Sequence, residues 1–270
     1  MKTIIVAFDG TPGAATALEH AVALSARDDG RVIAVFAHAS AEVYVAQGNW
    51  IPHEARAIIS QSNARLGDEV RANFELAAKA HDTSVKLSFE SIEGRVDDVL
   101  ARRSRAADLL VTARVDSDVD MHALQHPDQI ALRGGRPLLI VPTGVPPRTG
   151  PVHAVVAWDG KRAAARALAD ALPLMPPGSR MTLLTIGSDT LTRPVDEVIE
   201  HLAGHRLEAE AVAKDQKGKV ADVLIDYCAE ANPDLLVMGA YEHSKFQVGL
   251  VGGPTLEVLR RAALPVLMSH

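Results

Sequence analysis

The chain has 270 residues, of which 47% are hydrophobic and 23% charged, a balance that predicts a soluble globular protein of about two domains. The formal net charge of −6 argues against a generic polyanion-binding protein, so we expect no nucleic-acid partner. A single cysteine excludes a disulfide framework. No run of about 18 apolar residues occurs, so we expect no membrane span and take cytoplasmic residence as the default.

The first half of the chain alternates strand and helix patterns. Strand patterns cover 3–8, 31–37, 84–91, 108–113 and 137–141. Helical patterns cover 13–27, 53–80 and 95–106. Alternating β and α elements with apolar strands predict an α/β fold, in which helices cover both faces of a parallel sheet.

The second half repeats this order. Strand patterns cover 152–158, 180–186, 207–213, 234–239 and 265–269, and helical patterns cover 161–173, 194–204, 219–231 and 254–263. The segment Ile5–Gly10 matches Val155–Gly160, and Gly94–Leu100 matches Gly218–Leu224. The repeats predict two copies of one domain, at 1–143 and 152–270, joined by a Pro/Gly-rich linker at 144–151.

The most informative loop runs from the end of a strand at Met238 to the start of a helix at Thr255. Gly239 follows the strand, and Gly252-Gly253 precede the helix. Helix N-termini attract phosphate, and glycines let the backbone approach an anion closely. Because the same pattern also fits an ordinary strand–loop–helix connection, the residues alone leave phosphate binding open.

Together these segments resemble tandem universal stress proteins over nearly all of both halves. In that family, an ATP loop of the form Gly-x2-Gly-x9-Gly-(Ser/Thr) is followed two residues later by threonine. Gly239, Gly252 and Thr255 match this pattern, whereas Glu242 and Gly253 depart from it. The resemblance implies tandem parallel-sheet sandwich domains of the Rossmann-like, adenine nucleotide alpha hydrolase-like type. It also implies that the halves pair along their last strands as an internal pseudo-dimer, with further homodimerisation left open.

The resemblance further implies a nucleotide site in the second half. Asp159 would contact the nucleoside, and Ile186 would line the adenine pocket. Phosphates would lie beside the helix start, with Lys245 as a mobile cation. The implied nucleotide-binding residues are Ala157, Asp159, Ile186, Met238, Gly239, Lys245, Gly252, Gly253 and Thr255.

The first half keeps Asp9 after its first strand, but Ala113 replaces the first loop glycine. Asp116, Asp118 and Asp120 add negative charge where phosphates would lie. We therefore predict that this half has lost the nucleotide loop and has a structural or regulatory role. Its longer middle segment either covers a face of the domain or extends over a site.

These observations predict a cytoplasmic stress-response protein that binds ATP or a related adenine nucleotide, with or without Mg²⁺, as a regulatory ligand. An unidentified protein partner is also expected. The alternative is a nucleotide-independent interaction or scaffold protein whose site has decayed, as Glu242 and Gly253 suggest. An enzyme, at most a slow ATPase, has less support because no convincing general base or nucleophile occurs. We therefore assign no catalytic residue and no metal ligand.

Overall fold

The computed structural model describes residues 1–46, 50–81, 85–114, 126–187, 195–240 and 254–270. The strands are β1 (Thr3–Ala7), β2 (Arg31–His38), β3 (Lys86–Glu93), β4 (Leu109–Ala113), β5 (Leu138–Val141), β6 (His153–Ala157), β7 (Arg180–Ile186), β8 (Glu208–Lys214), β9 (Leu235–Gly239) and β10 (Val266–Ser269). The helices are α1 (Pro12–Ser25), α2 (Ala41–Ala46), α3 (His53–Lys79), α4 (Val96–Ser104), α5 (Pro127–Gly134), α6 (Arg162–Ala171), α7 (Val195–Gly204), α8 (Val220–Ala231) and α9 (Pro254–Arg261).

All ten strands form one sheet in the order β3-β2-β1-β4-β5-β10-β9-β6-β7-β8. Neighbouring strands within each half are parallel. The halves meet where β5 pairs antiparallel with β10, with Leu139 opposite Leu267. The structure thus confirms the predicted α/β class, the parallel sheet of each half and the pairing of the last strands.

Helices cover both faces of the sheet because the strands are apolar on both faces. Val6 and Leu267 are buried on the face covered by α1, α3, α6 and α7. Ile5 and Val266 are buried on the other face, beneath α4, α5, α8 and α9. Since successive side chains of a strand point to opposite faces, each half has two apolar layers, one on either side of its sheet.

The structure differs from the predicted elements at β3 and in two additional helices, and several other element ends shift by one or two residues. Strand β3 lies two residues later than predicted. It pairs with β2 from Lys86, opposite Arg31, to Glu93, opposite His38. Helices α2 and α5 were not predicted. Pro127 at the start of α5 and the left-handed Gly135 at its end, with φ of 66°, are the usual start and stop signals of a helix.

The predicted linker at 144–151 lies between β5 and β6, and its first residues are fastened to α1. The Gly144 N–H donates to Thr16 Oγ1 at 3.1 Å. The buried His20 ring donates from Nε2 to the Val145 carbonyl at 2.8 Å. Within the described ranges, no helix combines the length and the hydropathy that crossing a membrane would require.

Candidate functional site

The candidate site lies at the carboxyl ends of β6 and β9. Strand β6 pairs with β7 on one side and β9 on the other. The helices that follow these strands pack on opposite faces, α6 on one and α9 on the other. This arrangement is a topological switch point, where open parallel sheets bind their ligands.

Three of the predicted site residues share one apolar cluster at this point. Met238 is buried, with 6% exposure, and Ala157 and Ile186 pack against the same cluster while remaining partly exposed. These side chains come from three adjacent strands and face the side of the sheet covered by α8 and α9. The structure therefore brings together three of the residues predicted to bind the nucleotide.

Asp159 follows β6 in a tight turn that Gly160 completes with φ of 75°. Its Oδ1 accepts the Lys161 N–H at 3.0 Å, while Lys161 Nζ lies 3.8 Å from Oδ2. The Asp159 side chain is 40% exposed. The carboxylate is thus fixed in direction by the turn and remains accessible at the edge of the crevice.

The corresponding turn of the first half is arranged differently. Asp9 Oδ1 accepts both the Thr11 N–H at 3.0 Å and the Thr11 hydroxyl at 2.6 Å. Thr11 Oγ1 in turn accepts the Ala14 N–H at 3.2 Å and so caps α1. In the second half, Lys161 stands at this position and makes no side-chain cap on α6. A lysine therefore replaces a capping hydroxyl beside the candidate site.

Gly239 is required for close packing between β9 and α6. A Cβ atom at this position would lie 2.7 Å from the Ala163 carbonyl carbon and 2.8 Å from the Ala163 Cβ. The first half has the reverse arrangement: Gly13 lies on the helix, where a Cβ would come within 2.9 Å of the Cβ of Ala113. Ala113 is therefore accommodated by Gly13, and the missing loop glycine alone does not disrupt this end of the first half.

The phosphate side of the site is described only in part. Thr255 is buried in the first turn of α9, with 8% exposure. Glu257, in the same turn, pairs with Lys219 at 3.0 Å and lies 3.6 Å from Arg261. The predicted residues Lys245, Gly252 and Gly253 lie outside the described residues, as does Glu242.

The first-half switch point offers little room. A cavity of about 50 Å³ lies between Asp9, Phe36, Val96 and their neighbours, which is space for only a few water molecules. On the other side of the turn, α3 packs against Gly10, where a Cβ would lie 3.0 Å from Asn73 Nδ2. Asp116, Asp118 and Asp120 lie outside the described residues, and the loss of nucleotide binding in this half stays a prediction.

Several other groups bear on the chemistry. Within the part of the chain that the structure describes, no cluster of three His, Cys, Asp or Glu side chains is placed to hold a metal. Burial raises the pKa of the Cys228 thiol to about 11, so it is protonated at neutral pH and a poor nucleophile. Arg114, which the sequence did not single out, donates across the junction of the halves to the Ala262 carbonyl just after α9.

Fold and site together define a tandem α/β protein in which the carboxyl ends of each half's parallel strands form a topological switch point. The family model described as the universal stress protein family matches residues 1–142 and 152–270. The chain therefore belongs to the universal stress protein family, as a tandem of two such domains.

Individual relatives agree with this assignment. A 72-residue stretch is 35% identical to Universal stress protein Slr1230 of Synechocystis sp. (strain ATCC 27184 / PCC 6803 / Kazusa) and covers 27% of this chain but only 23% of that protein. A universal stress protein from Archaeoglobus fulgidus DSM 4304 superimposes with a TM-score of 0.73 at 15% identity, over 99% of this chain and 95% of that chain. A functionally unknown protein from Pseudomonas aeruginosa PAO1 gives a TM-score of 0.52 at 15% identity, over 100% and 92% of the two chains. The two structural similarities support the fold alone.

Proposed function

We propose that this chain is a cytoplasmic stress-response protein whose second half binds an adenine nucleotide, with ATP as the first candidate, as a regulatory ligand. The observation that supports this most directly is the position of Asp159 beside the exposed edge of the cluster formed by Ala157, Ile186 and Met238. A nucleoside combines an apolar purine face with ribose hydroxyl groups, and this crevice combines an apolar wall with a carboxylate acceptor.

The donor and acceptor chemistry of these residues fits a nucleoside. Oδ1 of Asp159 already accepts the Lys161 N–H, and Oδ2, which lies 3.8 Å from Lys161 Nζ, is the proposed acceptor for a ribose hydroxyl. A hydrogen bond to a charged group contributes about 1.5–3 kcal/mol. Phosphates would be held by the residues predicted at the start of α9, and Lys161 adds a cation beside Asp159. In this proposal, ATP acts as a bound regulatory ligand and is not hydrolysed. Mg²⁺ would serve as a counter-ion of its phosphates.

The first experiment asks whether the protein carries a nucleotide. Freshly purified full-length protein is denatured, and any released nucleotide is identified by chromatography. The stripped protein is then titrated with ATP by calorimetry. We expect close to one nucleotide per chain.

Two matched variants locate the site. Asp159→Ala should weaken ATP binding roughly 10- to 100-fold, because it removes one charge-assisted hydrogen bond. Asp9→Ala, the corresponding change in the first half, should leave affinity unchanged. Thermal unfolding of both variants shows whether they remain folded. Equal losses in the two variants, or none in Asp159→Ala, would contradict the proposed location.

The competing proposal is an interaction or scaffold protein that keeps the fold after its site has decayed. Glu242 and Gly253, where the family pattern has a glycine and a hydroxyl residue, favour it. Under this proposal, denaturation releases no nucleotide, and titration to millimolar ATP gives no heat. The search would then move to a protein partner, including a second copy of this chain.

A further inference from the structure

The longer middle segment of the first half forms a polar cavity. Helices α2 and α3 lie between β2 and β3, whereas the described part of the corresponding connection in the second half contains only α7. The cavity is open to solvent and has a volume of about 420 Å³; it lies beyond the carboxyl ends of β2 and β3, which supply His38 and Glu93 to its lining. This volume falls within the range of small-molecule binding sites.

One face of α3 forms a wall of this cavity. Only Val70 and Phe74 are buried in this helix, so its N-terminal part is not held by apolar packing. The lining residues recur every three or four positions along one face, at Arg56, Ser60, Asn63, Ala64, Gly67 and Arg71. Asn63 Nδ2 donates to the Ala39 carbonyl at 2.9 Å and fastens α3 to the end of β2. The wall is therefore held in place by the protein itself.

Gly67 lies in the interior of α3 and has no structural requirement for glycine. Its φ is not in the left-handed region, and a Cβ there would meet only Ser91 Oγ, at an ordinary contact distance of 3.7 Å. Glycine in a helix interior destabilises a protein relative to alanine. Because alanine would fit in this structure, the absence of a side chain is explained if a ligand approaches the helix backbone at this point.

The charged groups of the cavity are of both signs and are not paired with one another. They are Glu42, Arg56, Asp68, Arg71 and Glu93. None of the salt bridges formed within the described ranges involves these five side chains. The Arg71 guanidinium is positioned by the Phe89 ring, whose centroid lies 4.8 Å away. A ligand that satisfies such a lining carries both an anionic and a cationic group.

We propose that this cavity is a second ligand site, specific for a small zwitterion of the size of a short peptide. Its anionic group binds the arginines, its ammonium group binds the carboxylates, and its middle part passes Gly67. The site is independent of the proposed nucleotide site, because all of its lining residues belong to the first half.

The test uses the full chain and three probes that differ in charge: triglycine, which is a zwitterion, succinate, which is an anion, and 1,4-diaminobutane, which is a cation. Calorimetry and thermal unfolding measure binding. We expect triglycine to bind at least about tenfold more tightly than either succinate or 1,4-diaminobutane, whose charges are all of one sign. Equal binding of succinate, or no binding of triglycine at millimolar concentration, overturns the proposal.

Two variants on α3 locate the binding. Gly67→Leu places a side chain in the cavity and should abolish triglycine binding. Ala72→Leu adds the same side chain at an exposed position of the same helix and should leave binding unchanged. Gly67→Ala, a smaller change, should raise the unfolding temperature and still weaken binding. Triglycine binding that survives in both Gly67 variants overturns the proposal.

Discussion

The paired exchange of glycine and alanine between the two halves predicts a specific pattern of stability. Where β9 ends against α6, the glycine is on the strand (Gly239) and the alanine on the helix (Ala163). Where β4 ends against α1, the glycine is on the helix (Gly13) and the alanine on the strand (Ala113). Adding a second Cβ to either contact should destabilise the protein, and removing the opposing Cβ should restore stability.

The expected magnitudes differ between the halves. Gly13→Ala would bring a Cβ to 2.9 Å from both the Ala113 Cβ and the Thr143 hydroxyl, which can rotate away. Gly239→Ala would also bring a Cβ to 2.7 Å and 2.9 Å from backbone atoms of α6. Overpacking of this kind costs about 1–3 kcal/mol, or about 2–4 °C in unfolding temperature for each kcal/mol in a protein of this size. The Gly239 variant should lie at the upper end.

The assay is a double-mutant cycle by urea unfolding, without nucleotide. Adding Ala113→Gly to Gly13→Ala should recover most of the lost free energy of unfolding. Adding Ala163→Gly to Gly239→Ala should recover less, because the backbone contacts remain. Coupling energies of about 0.5–3 kcal/mol are expected for contacting residues. Strictly additive effects in the first-half cycle would refute the packing explanation for these glycines.

Three further predictions concern single side chains. Burial lowers the pKa of His20, despite its bond to the linker carbonyl, so the folded protein prefers the neutral ring. The contribution of the neutral ring to stability is therefore complete above about pH 6.5 and declines as the pH falls. In His20→Gln, the free energy of unfolding measured with urea should depend less on pH between about pH 7.5 and 5. Burial raises the pKa of Asp108, but two backbone N–H donors at the start of β1 and nearby positive charges, including Arg136, together outweigh it and hold this pKa below its usual value. Stability should thus decline below about pH 4 in the wild type and less steeply in Asp108→Asn. Arg114→Met should lower the free energy of unfolding by about 1–3 kcal/mol through loss of the bond to Ala262, and an unchanged urea midpoint would contradict that role.

Much of the fold could be predicted because local patterns and tertiary contacts agree. Strand β7 was predicted at 180–186 and found there, since its apolar run is buried on both faces. Helix α6 buries Ala164, Ala167 and Leu168, whose spacing marks one helical face in the sequence. Helix α5 is hard to recognise in the sequence because it is only 8 residues long, although Pro127 and Gly135 are usable signals for its ends.

The sequence was less informative about the candidate sites. Gly239 matches a ligand-loop glycine in sequence, but its packing role depends on Ala163, more than seventy positions earlier in the chain. The reciprocal pair of Gly13 and Ala113 is equally remote in sequence. The polar cavity combines α3 with the ends of β2 and β3, and no local pattern could show which face of α3 would meet those strands. Such features require the three-dimensional pairing of distant segments.

The antiparallel junction between β5 and β10 determines where the proposed ligand sites of the two halves lie relative to each other. Because the strands of the two halves run in opposite directions, their carboxyl ends lie at opposite poles of the molecule. Ligands of the two halves would therefore bind at opposite edges of the sheet. A partner that binds at one edge would leave the other edge accessible. Any communication between the poles must cross a ladder of three residue pairs and the contacts around it. The antiparallel junction therefore keeps the proposed ligand sites of the two halves apart.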